Sequence, residues 1–190
     1  MTAAARFEAS RFVLIGRGAV LGMMVCVPLV ASSGSATSGQ LDERVQLQER
    51  VRHELATLPY YGVFDNLSFR VDGGQVTLIG QVTQPVVKED AERAVKRLPG
   101  IQSVNSQIEV LPPSRMDDQI RRSTYYAVYG YGPLERYGLG PEPAIRILVK
   151  NGHVTLTGVV ASAVDRMLVY QRANTVQGVF SVTNNLVIEI

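Results

Sequence analysis

At 190 residues, 46% hydrophobic and 19% charged, the chain is long enough for one or two small globular domains and too apolar to be chiefly disordered. Its net charge of +2 resides in the first 36 residues, where Arg6, Arg11 and Arg17 face one acid, Glu8; the remainder is neutral. A neutral body without a long basic run argues against nucleic acid as the main partner, because phosphate backbones are held by clustered lysine and arginine.

Residues 1–36 read as a secretory signal. Three arginines precede an apolar stretch over residues 18–31, and small residues follow, with Gly34-Ser35-Ala36 an acceptable cleavage site. The stretch is shorter than the ~20 residues a spanning helix needs, and Pro28 interrupts it, so cleavage is favoured over a retained anchor. Cys26 is the only cysteine. Val25 precedes it, where bacterial lipoprotein signals place a small residue. It is expected to leave with the leader, so the mature chain would carry no disulfide and no thiol chemistry.

Residues 37–41 read as a flexible linker, and Asp42 as the cap of a first helix. Leu47, Val51, Leu55 and Leu58 form its apolar stripe, and Pro59 stops it. Leu67, Phe69 and Val71 then alternate, Gly73-Gly74 follows, and Val76, Leu78, Gly80 and Val82 alternate again. Two alternating runs joined by a glycine pair make a β-hairpin with a primed turn. A second helix starts near Thr83, a possible cap, with Pro85 in its first turn; Ala91, Val95 and Leu98 mark its buried face. Gly100 reads as a helix-ending glycine. Val104, Ile108 and Val110 give a closing strand, and residues 112–115, with Pro112-Pro113, form a stiff linker.

The same order then repeats. Val-Asp-Gly-Gly-Gln-Val-Thr-Leu-Ile-Gly at 71–80 returns as Val-Lys-Asn-Gly-His-Val-Thr-Leu-Thr-Gly at 149–158. Asn151-Gly152 is the second hairpin turn, Gly158 matches Gly80, and Gly178 matches Gly100. Ser162 with Asp165 forms a capping-box-like start, and Val169, Ala173 and Val176 supply the buried helix face. The expected fold is α+β: two tandem α-β-β-α-β modules over residues 42–111 and 116–190, each a three-stranded mixed sheet packed against two helices. The short linker predicts contact between them.

Hairpin pattern, glycine positions and element order together resemble the BON domain, found in tandem in bacterial envelope proteins. The resemblance covers nearly all of the mature chain. It implies a non-enzymatic module of the periplasm or envelope, proposed to bind phospholipid, with a role in envelope integrity or osmotic stress. A periplasmic protein–protein scaffold is the alternative. The resemblance carries no catalytic motif and no cofactor. The family's asparagine before the last strand's leucine is present as Asn184, whereas the first copy has Ser106.

A candidate binding surface lies where the copies differ. Pairing Ile120 with Val51 leaves about nine extra residues in the second copy, near 130–143, and glycine and proline there predict an irregular loop. Tyr125, Tyr126, Tyr129, Tyr131 and Tyr137, with Arg121 and Arg122 one turn upstream, form a group suited to lipid headgroups or a protein partner. Core packing of single rings such as Tyr125 and Tyr129 is the competing reading. On this division of labour the first copy chiefly braces the second. Elsewhere, His53 and His153 fall in different modules without metal-ligand spacing, and Asp42-Glu43, Glu89-Asp90 and Asp117-Asp118 read as solvated helix acids. No serine shows a histidine context, so no catalytic or metal site is expected.

Overall fold

The computed structural model describes residues 35–140 and 143–189, with side-chain surroundings from residue 43 onward. The leader through residue 34, Cys26 included, lies outside the described residues. The first module is α1 (Ser35–Ala56), β1 (Asn66–Asp72), β2 (Gln75–Val82), α2 (Pro85–Lys96) and β3 (Ser103–Val110). The second is α3 (Arg115–Tyr129), α4 (Gly132–Glu135), a 3-10 turn (Arg136–Gly138), β4 (Ile145–Lys150), β5 (His153–Val160), α5 (Ala163–Asn174) and β6 (Ser181–Ile188). In each, the hairpin strands are antiparallel and the closing strand is parallel to the second, giving sheets β1-β2-β3 and β4-β5-β6. The α+β reading with two tandem modules holds.

Registers repeat as the sequence offset demands: Val71 pairs Val76, which pairs Val104, as Val149 pairs Val154, which pairs Val182. Most of the predicted stripe residues are in the cores; Leu98 and Val176, read as helix faces, lie past the ends of α2 and α5 and are half-buried. Leu47, Val51, Leu55, Phe69, Leu78, Ala91 and Val95 meet in the first. Ile120, Ile147, Leu156, Val169, Ala173 and Leu186 meet in the second.

Four local expectations change. Helix α1 runs through residues 37–41, so that stretch is helical rather than a linker, and Asp42 lies inside the helix rather than at its cap. No proline interrupts residues 35–41, and extending a nucleated helix adds a hydrogen bond for each residue fixed. Thr83 does not cap α2. The cap position is Gln84, and the Thr83 N–H and hydroxyl both donate to the buried carboxylate of Asp65, at 2.6 and 2.9 Å. Gly100 and Gly178 sit three residues beyond the helix caps, at the third position of turns closed by Ile101 N–H to the Leu98 carbonyl and Val179 N–H to the Val176 carbonyl. The two hairpin turns also differ. Asn151 and Gly152 both take positive φ, whereas in the first pair only Gly73 does. The buried Asp117 carboxylate accepts from the N–H groups of Asn151 and Gly152, at 2.9 and 2.8 Å, which fixes that turn. On the pairing of Ile120 with Val51, Gln48 takes the place of Asp117 in the first module.

Gly80 and Gly158 are required by the strand beside them. A Cβ at either would be driven into the backbone carbonyl of Asn66 or Ala144, and φ is +145° and +123°. The obstacle is the backbone of the neighbouring strand.

Candidate functional site

Helix α3 carries most of the predicted surface. Ser114 caps it by accepting from Asp117 N–H, so the linker ends one residue earlier than its composition indicates. Its buried positions, Ile120, Thr124 and Val128, turn onto the sheet, and the seven predicted site residues separate around its circumference and along the insert.

Arg121, Tyr129 and Tyr137 are internal, contrary to the surface reading. Arg121 is 4% exposed; its guanidinium pairs with Asp118 and donates to the Val149 carbonyl at 2.7 Å. The Tyr129 hydroxyl donates to the Ile145 carbonyl, and burial pushes its pKa well above the ordinary tyrosine value. Both satisfy outward-facing carbonyls of the edge strand β4. Unpaired edge groups are costly when covered, and a strand edge offers them in a row. Tyr137 is buried in the insert. Its hydroxyl donates to Asp165 at 2.9 Å and accepts from Ala161 N–H at 2.9 Å. Asp165 also accepts from the Ser162 hydroxyl and from Arg136. The hydroxyl bond from Ser162, then those of Tyr137 and Arg136, hold its carboxyl below the usual aspartate range against the opposing effect of burial.

The insert is therefore a structural tie rather than an irregular loop. Leu134 is wholly buried, α4 and the 3-10 turn lie between α3 and β4, and Tyr131, half-buried, lies under the Arg172 guanidinium at 4.3 Å. Leu139 is left exposed near its end; residues 141–142 lie outside the described residues.

Arg122, Tyr125 and Tyr126 remain at the surface. Tyr126 is 71% exposed and packs edge-on against Tyr125, which meets Tyr129 on one side and Phe64 of the first module on the other. Val164, Met167 and Tyr170 on α5 and Met116 on α3 are also exposed. Periodicity alone misses them. The repeat separates two of them: where α5 has Met167 and Tyr170, α2 has Glu89 and Glu92, while Val164 falls on Val86, itself exposed. The exposed cations of α3 and α5 include Arg115, Arg122 and Arg166; the one exposed acid, Asp118, is paired with Arg121.

The modules are docked through the segment between α1 and β1. Val63 and Phe64 pack against the core of the second module. The Val63 carbonyl accepts from Ile147 N–H at 2.8 Å, and the Gly62 carbonyl from Arg146, whose guanidinium stacks on Tyr61 at 4.5 Å. Farther along β4, Lys150 pairs with Glu109 of β3, and Leu148, between Arg146 and Lys150 on the strand, is buried.

Two other constellations carry less. His153 and Ser181 face each other across β5 and β6, Nδ1 to Oγ 2.7 Å, a contact the sequence reading does not foresee. The pair is exposed, and no acid is hydrogen-bonded to it among the described residues. A cleft of about 560 Å³ in the first module is lined by Arg44, Arg50, Gly73, Gly74 and Gln102. In the second module Asp117 holds the matching turn and Phe180 lies over Gly152. Among the described residues there is no cluster of three potential metal ligands, and no helix is long and apolar enough to cross a membrane.

Among solved structures, the chain is similar to CdsD, a structural protein of the type III secretion system of Chlamydia trachomatis. Identity is 15%, over 75% of this chain and 92% of that one, with a TM-score of 0.30. The C-terminal domain of CdsD matches at 15% identity over 77% of this chain and 98% of that one, with a TM-score of 0.28. Superposition at this level carries no functional argument. No curated protein matches. The BON domain family matches twice, over residues 44–112 and 134–189, which correspond to the two sheets with their crossing helices. Its domains are generally binding modules and are typical of periplasmic and envelope proteins. The chain belongs to the BON domain family and carries two such domains in tandem.

Proposed function

We propose that this is a non-enzymatic, exported envelope protein that docks on phospholipid surfaces through the helical layer of its second module and supports the envelope under osmotic stress. The observation that carries the reading is the asymmetry between modules. Met167 and Tyr170 stand exposed on α5 where α2 presents Glu89 and Glu92. Arg115, Arg122 and Arg166 accompany them, with Asp118 the only exposed acid on the two helices. Apolar and aromatic side chains set among cations suit the boundary between anionic headgroups and acyl chains.

Co-sedimentation with vesicles containing phosphatidylglycerol tests this. The protein is expected to bind, and Tyr126→Ser combined with Met167→Ser to weaken binding roughly tenfold, as loss of about 1–2 kcal/mol of apolar contact predicts. Binding unchanged in that variant removes this surface from the reading. A stoichiometric envelope protein cross-linked to it, without vesicle binding, would replace lipid with a protein partner.

A further inference from the structure

Between the modules lies a second cavity, of about 290 Å³, lined by Phe64, Thr83 and Gln84 of the first module, by Pro112 and Pro113, and by Asp118, Arg121 and Arg122 of α3. Three of its features favour an anion. Helix α2 starts at its edge, and Gln84 at the cap position makes no side-chain capping bond; no acid stands in the first turn. The matching helix α5 supplies both devices itself, through Ser162 and Asp165. An uncapped helix start carries partial positive charge; here Pro85 has no N–H and the Val87 N–H bonds the Gln84 carbonyl, which leaves the Val86 N–H of the first turn. Arg121, with its side chain 5% exposed, keeps a buried Nε without a hydrogen-bond partner. Arg122 lines the same cavity and has no ion pair among the described residues. Asp118 pairs with Arg121, which leaves Arg122 as the uncompensated charge of the lining.

We propose that this junction cavity is a phosphate-binding site. Arg122 and the Gln84 carboxamide hold the anion at the start of α2, with the Arg121–Asp118 pair forming the wall behind them. Planar guanidinium groups suit phosphate oxygens. Because both modules supply lining residues, the anion also fastens one to the other. The site is separate from the apolar surface of α5; it rests on the membrane reading only if the phosphate belongs to a headgroup.

The purified protein would be titrated calorimetrically with glycerol 3-phosphate and inorganic phosphate. It would also be sedimented with phosphatidylcholine vesicles made anionic by phosphatidylglycerol or, instead, by oleate. Saturable binding of a soluble phosphate, weakened at least tenfold by Arg122→Gln and unaffected by Tyr126→Ser, supports the site with a free phosphate compound. A preference for phosphatidylglycerol over oleate vesicles, abolished by Arg122→Gln, supports it with a lipid headgroup. Arg122 is exposed, and circular dichroism would verify the fold of its variant. The proposal is overturned if Arg122→Gln changes neither measurement, or if soluble phosphates fail to bind and the two anionic vesicles bind alike. In the last case, loss of vesicle binding in Tyr126→Ser would leave the membrane reading standing while the cavity is dismissed.

Discussion

Asp165 collects bonds from Ser162, Tyr137 and Arg136, and so joins the start of α5 to the insert. Its folded-state pKa lies below the ordinary 3.8, so its contribution to stability is complete above that value and is lost as pH falls through the folded-state pKa. Asp165→Asn should therefore flatten the acid limb of a stability–pH curve measured by urea unfolding. An unchanged limb would mean that the carboxylate is not held as described. Gly158→Ala is expected to cost roughly 1–3 kcal/mol from backbone strain alone, with further loss from collision with Ala144, read as a lower thermal midpoint. The hairpin glycines are legible in the sequence because they recur at a fixed spacing. Asp65, Asp117 and Asp165 are not legible as buried groups. Asp117 and Asp165 stand in first helical turns and Asp65 in a connecting segment, positions where carboxylates are usually solvated, and partners that bury them lie 18 to 35 residues away.

At the scale of elements, α3 shows why half of the candidate site dissolves into the core. A tyrosine and arginine cluster has the composition of an interface, yet a helix has an inner face, and the insert folds back onto the same core. One signal in the chain does distinguish Arg121 from Arg122. Glu49 and Arg52 form an i, i+3 pair on α1, and Asp118 and Arg121 form the same pair on α3 at the same relative positions. A pair kept in both copies marks shared architecture, and Arg122 is the unshared residue. Tyr129→Phe removes the donor from the Ile145 carbonyl and should cost about 1–2 kcal/mol, with vesicle binding unaffected. If its stability stays the same while vesicle binding falls, the internal assignment of Tyr129 is wrong.

Across the whole molecule, the two modules share an interface that the short proline linker announces but cannot specify. Val63 and Phe64 are apolar residues in a connecting segment, a position where sequence periodicity is silent because the segment belongs to neither helix nor strand. Phe64→Ala should destabilise the second module by about 2 kcal/mol through lost burial and uncouple its melting from that of the first, seen as a broadened or split calorimetric transition. A single sharp transition of unchanged midpoint would show that the segment contributes nothing to coupling.

The Val63 carbonyl on β4 has another consequence. Ile145-Arg146-Ile147-Leu148-Val149 is a run of four apolar residues around one cation, buried throughout, on an outer strand of its sheet. With Tyr129, Arg121 and the first module in place, that edge has no room for a foreign strand. A chain cut or misfolded ahead of Pro112 would present the Ile147 N–H and the Leu148 side chain to other molecules, the combination from which fibrils and amorphous precipitates grow. On this geometry the first module covers the edge through which the second would associate with itself, and proteolysis between the modules is expected to register as turbidity before it registers as lost binding.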